Sequence, residues 1–435
     1  MLIRGNKYLL SRYVLIKKLQ KRSFLTNEYK CESAWNGQRS SPIINNINLN
    51  DFYTSLSQNY ASKGVISAID VDIFANAVKE PIYLDELKEL LHKLRLSAET
   101  RNTLESTHHA TIRNYIDFGN EQELIDILKD PLTYGVFLDD FAANILLDKL
   151  ITSNNYELAA EVAALVMLQE DFSNEITCTL SQYACYKYII NYKVLPPEAP
   201  KAEEKKKIEE KKIRIKFLRN YYHDDHFDIK DLMLLSGKTL AWMSRNNNDN
   251  VSNNLQIIGW LYYKKYDSLL SLCENYKNLK SFKLYNDVIE LLQKESSKCE
   301  DKDSLQKCIS ILNACPKAEG GLEESIKKLI EDAINKTQKK DISTQQQLFE
   351  MWLSTREEKL NEQIQRLNRA QRIVEVEKKQ KELEVEEQKL WFFENEEKID
   401  LEIESKEKLH TSTEKNDINI SEDNYIPPEI LPKRK

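Results

Sequence analysis

The residues best suited to chemistry in this sequence form a basic cluster within residues 201–219. The cluster consists of Lys205, Lys206, Lys207, Lys211, Lys212, Arg214, Lys216 and Arg219. Lysine and arginine bind nucleic acid by neutralising phosphates and releasing counterions, without reading the bases. Tyr221 and Tyr222 follow, and their rings are of a type that stacks on bases. The pattern indicates a phosphate-contacting surface or, because glutamates lie among the lysines, an ordinary solvated charge run.

Residues that could bind a metal or act as nucleophiles show no comparable grouping. His223 and His226 flank Asp224 and Asp225 without an obvious third ligand, whereas a zinc site normally has three or four protein ligands. The 7 cysteines include no C-x-x-C pair, so we expect free thiols in a reducing compartment. No P-loop, G-x-G-x-x-G or G-x-S-x-G motif is present. The sequence therefore predicts a protein that is not an enzyme and that uses no cofactor or metal.

The overall composition limits how nucleic acid could be bound. The formal net charge is −7, so any contact with RNA must come from local basic patches rather than from the whole surface. Charged residues make up 31% of the chain, which contains only 9 Gly and 10 Pro. Few helix breakers and many charges favour long helices over a turn-rich β architecture.

The elements that would position such residues repeat along the middle of the chain. Residues 105–139 can be aligned with residues 140–174 without a gap, so that Ile112 corresponds to Leu147. A third unit begins at Glu175, giving a period of 35 residues. Each unit has the pattern of helix, short turn and helix. The sequence thus predicts helical hairpins that stack and bury a shared apolar spine.

One stretch of this repeat resembles a known family. Residues 132–176 read LTYGVFLDDFAANILLDKLITSNNYELAAEVAALVMLQEDFSNEI. A 35-residue hairpin is the pentatricopeptide-repeat period, and the stretch is similar to the pentatricopeptide-repeat family numbered twenty-seven of the mitochondrial small ribosomal subunit. The segment RSFLTNEYKCESAW at residues 22–35 resembles the start of that family. The resemblance implies a protein that contacts small-subunit rRNA and neighbouring ribosomal proteins.

The resemblance also implies candidate base-reading positions. In helical repeats that read RNA, two or three side chains of each repeat face one base. In this sequence the positions are His109 with Asp139, Asn144 with Asn174, and then Thr179. The alternative is that Asn144 caps or solvates a helix and that His109 lies on the surface. Because two or three degenerate repeats read few bases, contact with the RNA backbone is the favoured interpretation.

The C-terminal third has a different pattern. Leu353, Leu360, Leu367 and Val374 recur every seven residues in a highly charged sequence, which is typical of a coiled-coil helix. If it were continuous over residues 342–408, the helix would be about 100 Å long. A thin apolar seam cannot stabilise such a helix alone, so a partner is expected.

An apolar motif near the end of this helix suggests where a partner binds. It consists of Leu390, Trp391, Phe392 and Phe393. We expect these residues to anchor the helix in a groove of a protein partner. The alternative is that they pack back on their own domain.

The N-terminus has the composition of a targeting signal. Residues 1–27 carry basic, hydroxyl and apolar side chains and no acidic residue. A basic amphipathic leader is typical of a mitochondrial transit peptide, and the alternative is a surface helix. No run of 18 apolar residues is present, so no membrane span is expected.

These observations predict an all-α fold, a pentatricopeptide-like helical-hairpin solenoid with a long C-terminal coiled-coil-type helix. The predicted organisation is a transit peptide and leader at 1–30, repeats at 51–192, a charged insertion at 193–219, further hairpins at 220–336, a long charged helix at 342–408 and a disordered tail at 409–435.

The leading functional hypothesis is a structural, non-enzymatic component of the mitochondrial small ribosomal subunit in the matrix. Its expected partners are the small-subunit rRNA and other ribosomal proteins, with tRNA or mRNA left open. The alternatives are a free pentatricopeptide RNA-stability or translation factor and a coiled-coil scaffold that binds no RNA.

Overall fold

The computed structural model describes residues 23–192, 229–245, 247, 249–279, 281–297, 302–390 and 396–417. Across these residues the chain is helical and has no β-strand, which confirms the all-α prediction. The chain divides into two compact units, Met1–Arg356 and Glu357–Lys435. The predicted insertion at 193–219 lies outside the described residues.

The first unit begins with a folded N-terminal segment, defined here as residues 23–45. It contains a 3-10 helix at Asn27–Lys30, α1 at Glu32–Arg39 and α2 at Pro42–Asn45. Tyr29 and Trp35 are buried in the core. The boundary expected at residue 30 therefore falls inside a packed segment, because aromatic side chains on both sides of it are removed from water.

Helical hairpins follow this segment. Their helices are α3 at Leu49–Lys63, α4 at Ala68–Ala77, α5 at Leu84–Leu96, α6 at Glu105–Phe118, α7 at Glu121–Lys129, α8 at Asp140–Ser153, α9 at Tyr156–Leu168 and α10 at Glu175–Asn191. The starts of α6, α8 and α10 are each 35 residues apart, as the sequence alignment predicts. The helical repeat is therefore present in the fold.

Local sequence explains where these helices begin and end. The Asp139 side chain accepts a hydrogen bond from the Ala142 N–H at 3.1 Å, and Asn174 caps α10 in the same way. Acidic and amide side chains satisfy the unpaired N–H groups at helix starts. Asn154, with a φ of 58°, ends α8 in the left-handed conformation typical of helix C-termini.

Further helices follow in the described residues from 229 onward. They are α11 at Leu232–Met243, α12 at Asn250–Tyr262, α13 at Tyr266–Lys277, α14 at Asn286–Ser296 and α15 at Lys302–Asn313. The helices α11 and α12 pack at a glycine contact. A Cβ atom built on Gly259 would lie 2.4 Å from the Ala241 backbone nitrogen, and one on Gly237 would lie 2.6 Å from that of Tyr263. Only glycine allows the two backbones to approach this closely.

A single helix, α16 at Leu322–Leu390, follows and runs through the end of the first unit into the second. It begins 20 residues before the predicted start at 342, because Leu322, Ile326 and Ile330 form a buried apolar stripe without a helix breaker. The helix ends at Leu390, and α17 spans Glu396–Asp417. Residues 409–417, predicted as part of a disordered tail, are thus helical.

We expect Gly259→Ala to destabilise the first unit by about 2 kcal/mol or more, because the added methyl group meets the backbone of α11 and forces two packed helices apart. The free energy of unfolding in urea measures this loss. Gly37→Ala, in α1, is the matched control, since nothing lies within 4 Å of its Cβ position. Equal unfolding midpoints for the two variants would contradict the close packing of α11 and α12.

Candidate nucleic-acid interface

The candidate interface is formed by the first helices of successive hairpins. The helices α4, α6, α8 and α10 contact one another in this order and form one surface, called here the first-helix face. The predicted base-reading residues lie on the helices of this face. They are His109 on α6, Asp139 and Asn144 at the start of α8, Asn174 before α10 and Thr179 within it.

The N-terminal segment covers part of the first-helix face. The Trp35 ring packs edge-on against the His109 ring, with their centroids 5.3 Å apart. The Asn144 Nδ2 donates a hydrogen bond to the Tyr29 hydroxyl at 2.8 Å. Further along, α1 reaches α4, where the Arg39 Nε donates to the Asn76 carbonyl at 3.2 Å. The segment therefore extends from α8 to α4 on this face.

The first part of α16 covers the same face in reverse order. Glu323 pairs with Lys187 of α10 at 3.2 Å, and Asp341 accepts a hydrogen bond from Asn174 at 3.2 Å. Trp352 then packs against the His109 ring of α6, with centroids 5.3 Å apart. The Tyr29 hydroxyl donates to Asp341 at 3.3 Å and so joins the two covering segments.

His109 and Asp139 form one of the pairs that the repeat register predicts. The His109 Nδ1 lies 3.0 Å from the Asp139 Oδ2, and the His109 side chain is fully buried. Burial alone would raise the pKa of the Asp139 carboxyl, but its interaction with His109 and the hydrogen bonds from backbone N–H groups outweigh burial and lower that pKa. The two side chains thus interact with each other inside the protein.

The other three predicted residues are also engaged within the chain. Asn144 is fully buried, and Asn174 divides its amide between the α10 cap and Asp341. Thr179 is 2% exposed and donates to the Glu175 carbonyl of its own helix at 3.0 Å. Base reading by these residues stays a prediction, and it would require RNA to displace both covering segments.

A buried ion pair anchors α16 at Arg356, the last residue of the first unit. The Arg356 Nε donates to the Asp72 Oδ2 at 2.7 Å, and both side chains are fully buried. Ser106 and Thr107 of α6 donate to the other oxygen of Asp72, the latter at 2.9 Å. The Arg356 Nη1 and Nη2 have no partner among the described residues. The pair joins α4, α6 and α16.

The sequence reasoning missed this ion pair, although both residues carry a signal. Asp72 interrupts the apolar run AIDVDIFANA of α4, where a charge would need a buried partner. Arg356 lies three residues after Leu353 and four before Leu360, so it occupies the seam of the heptad pattern. A charge in the apolar stripe of each helix predicts a partner but cannot identify it.

The edge of the first-helix face between α6 and α8 is acidic. A pocket there is lined by Glu105, Asp139, Asp140 and Asp171 together with apolar side chains. Burial, followed by the charge of Asp171, raises the pKa of the Asp140 carboxyl to about 6. At neutral pH the pocket therefore carries negative charge, which repels phosphate groups.

The remaining predicted site residues fall outside the described structure. The structure does not describe the basic cluster from Lys205 to Arg219, nor Trp391, Phe392 and Phe393, and Leu390 is the last residue of α16. Within the described ranges, no group of three or more His, Cys, Asp or Glu could hold a metal ion. No helix in those ranges is both long and apolar enough to cross a membrane.

Together the helical hairpins, their 35-residue period and the covered first-helix face define an all-α helical-repeat protein. A family model described as Mitochondrial 28S ribosomal protein S27 matches residues 3–382. The chain therefore belongs to this family of the mitochondrial small ribosomal subunit. The match extends beyond the repeats into α16, whereas the resemblance in the sequence was carried by residues 132–176 and 22–35.

We expect Arg356→Met to lower the free energy of unfolding by about 3 kcal/mol or more, because it leaves the Asp72 carboxylate buried without a counter-charge. The double variant Asp72→Asn with Arg356→Met should lose less than the sum of the two single changes, since no isolated charge remains. Chemical denaturation of all three variants measures the coupling. Additive losses would show that the two charges do not interact in the folded protein.

Proposed function

We propose that this protein is a structural, non-catalytic component of the mitochondrial small ribosomal subunit that binds rRNA and neighbouring ribosomal proteins in the matrix. The observation that carries the proposal is the family match over residues 3–382. The covered first-helix face supports a structural role, because its buried side chains already form hydrogen bonds within the protein and cannot contact RNA bases. Binding of tRNA or mRNA stays a prediction.

We also propose that the residues before Ser23 act as a mitochondrial targeting leader. Ser23 and the Phe24 N–H donate hydrogen bonds to the Asp148 carboxylate, the latter at 2.8 Å. The Phe24 ring packs edge-on against Tyr183, with centroids 5.6 Å apart. Removing Ser23, Phe24 and Leu25 would leave the Asp148 carboxylate buried without its hydrogen-bond donors, so processing of the leader should retain residues 23–25.

Sequencing the N-terminus of the protein recovered from mitochondria tests this boundary. We expect the mature chain to start at or before Ser23, because Asp148 depends on residues 23–25 for its hydrogen bonds. A mature chain that starts after Leu25 would be incompatible with the packing of the N-terminal segment.

Sedimentation of mitochondrial extract tests the ribosomal role. We expect the protein to migrate with the small ribosomal subunit and to remain there at moderate salt, since contacts with several ribosomal components combine apolar and ionic terms. A protein that stays at the top of the gradient would instead be a free RNA factor or scaffold. Recovery of rRNA after crosslinking in intact organelles separates a ribosomal protein from a scaffold that binds no RNA.

A further inference from the structure

The part of α16 that lies in the second unit is exposed along its length. From Glu357 to Gln388 nearly every side chain is open to solvent. Its apolar residues are no exception, since Ile364 is 52%, Leu367 is 56% and Val374 is 64% exposed. In the first unit, by contrast, apolar residues of the same helix are buried. The exposed part of α16 therefore has free surfaces on which a partner can bind.

One stretch of this exposed helix is basic, whereas the stretches on either side of it are acidic. Residues 363–374 contain Arg366, Arg369 and Arg372, called here the arginine row, and no acidic residue. The flanking stretches 350–362 and 375–390 each contain more acidic than basic residues. In a chain with a net charge of −7, the row is a local positive patch.

The spacing of the arginine row places its members on one side of the helix. Steps of three residues bring side chains onto adjacent turns, each about 4.5 Å further along the axis. Leu360, Ile364, Leu367 and Val374 share the side away from the row. The helix can therefore pack its apolar seam on a protein while the arginines stay accessible.

The charges of the arginine row are largely unused within the chain. Arg366 is 76% exposed, and its Nη2 lies 4.0 Å from the nearest oxygen of Glu362. Among the described residues, Arg369 and Arg372 form no ion pair. Further along the helix, the Lys379 Nζ lies 3.7 Å from the Glu382 Oε2. The row thus differs from the stretch that follows it, in which glutamates alternate with the lysines.

We propose that the arginine row binds the phosphate backbone of double-stranded RNA, an inference that rests on the proposed ribosomal function. A planar guanidinium forms two parallel hydrogen bonds with a phosphate, and it always carries its charge. Gln365 lies on the same side of the helix as the row and Asn368 lies at its edge, and both add neutral donors for phosphates and ribose hydroxyls.

The residue types of this stretch favour a duplex over a single strand. Proteins that bind single strands stack bases on aromatic rings. Residues 357–390 contain no Phe, Tyr or Trp. Double-stranded RNA is recognised instead through its backbone and 2′-hydroxyl groups, which needs only donors and positive charge on a rigid support. An α-helix that presents three arginines meets this requirement.

The test compares two triple variants of the full-length protein with equal loss of charge. The arginine variant removes the row through Arg366→Gln, Arg369→Gln and Arg372→Gln. The lysine variant removes three lysines from the same helix through Lys378→Gln, Lys379→Gln and Lys381→Gln. Because glutamine is a good helix former, both variants should keep their helical circular dichroism. Fluorescence anisotropy with a short RNA duplex of arbitrary sequence, measured over a range of salt, gives the affinity.

We expect the arginine variant to bind the duplex about tenfold more weakly at physiological salt, with a salt slope smaller by about two to three, because three phosphate contacts are lost. The lysine variant should behave like the wild-type protein. Equal losses in both variants would show a general effect of charge and overturn the proposal, and so would an arginine variant with unchanged affinity.

Crosslinking in mitochondria separates this inference from the proposed function. If the wild-type protein does not sediment with the small subunit, the ribosomal role itself is wrong. If it does, and the arginine variant loses rRNA crosslinks that the lysine variant keeps, the inference is supported. If the arginine variant crosslinks to rRNA normally but loses a protein partner, the row binds an acidic protein surface and the inference is wrong.

Discussion

The buried contact between Asp72 and Arg356 fixes α16 over the first-helix face, because it joins α16 to α4 and α6. Neither charge is stable alone in the interior, so each side chain holds the other in place. With α16 fixed at Arg356, Trp352 lies against His109, and Asp341 meets Asn174 and Tyr29 further back along the helix. The polar groups of the first-helix face thereby find partners within the chain.

This covering changes which surfaces remain for RNA. A base that entered the first-helix face would have to replace several buried hydrogen bonds and aromatic contacts at once, at a cost of about 1 kcal/mol or more for each hydrogen bond. The nearby pocket lined by Asp139, Asp140 and Asp171 adds negative charge. Contacts with the RNA backbone through exposed basic residues carry no such cost. The arginine row of the second unit has this character.

Much of the architecture was predictable from local patterns. The structure has the 35-residue period where the sequence alignment places it. The cap at Asn174 and the left-handed Asn154 likewise depend on a few neighbouring residues. The start of the long helix at Leu322 was missed by 20 residues, because its first turns are apolar enough to resemble another short hairpin. The close packing of α11 and α12 at Gly237 and Gly259 could not be predicted, because no periodic pattern in the sequence marks it.

The sequence by itself determined the helices, their repeat and the residues at the first-helix face, because helix formation and capping depend on spacing within one or two turns. Only the tertiary structure decided that this face is covered. The contacts that cover it join residues hundreds of positions apart, such as Tyr29 with Asp341 and Asp72 with Arg356. A pattern along one helix shows that a polar side chain needs a partner, whereas the partner itself is chosen by the path of the whole chain.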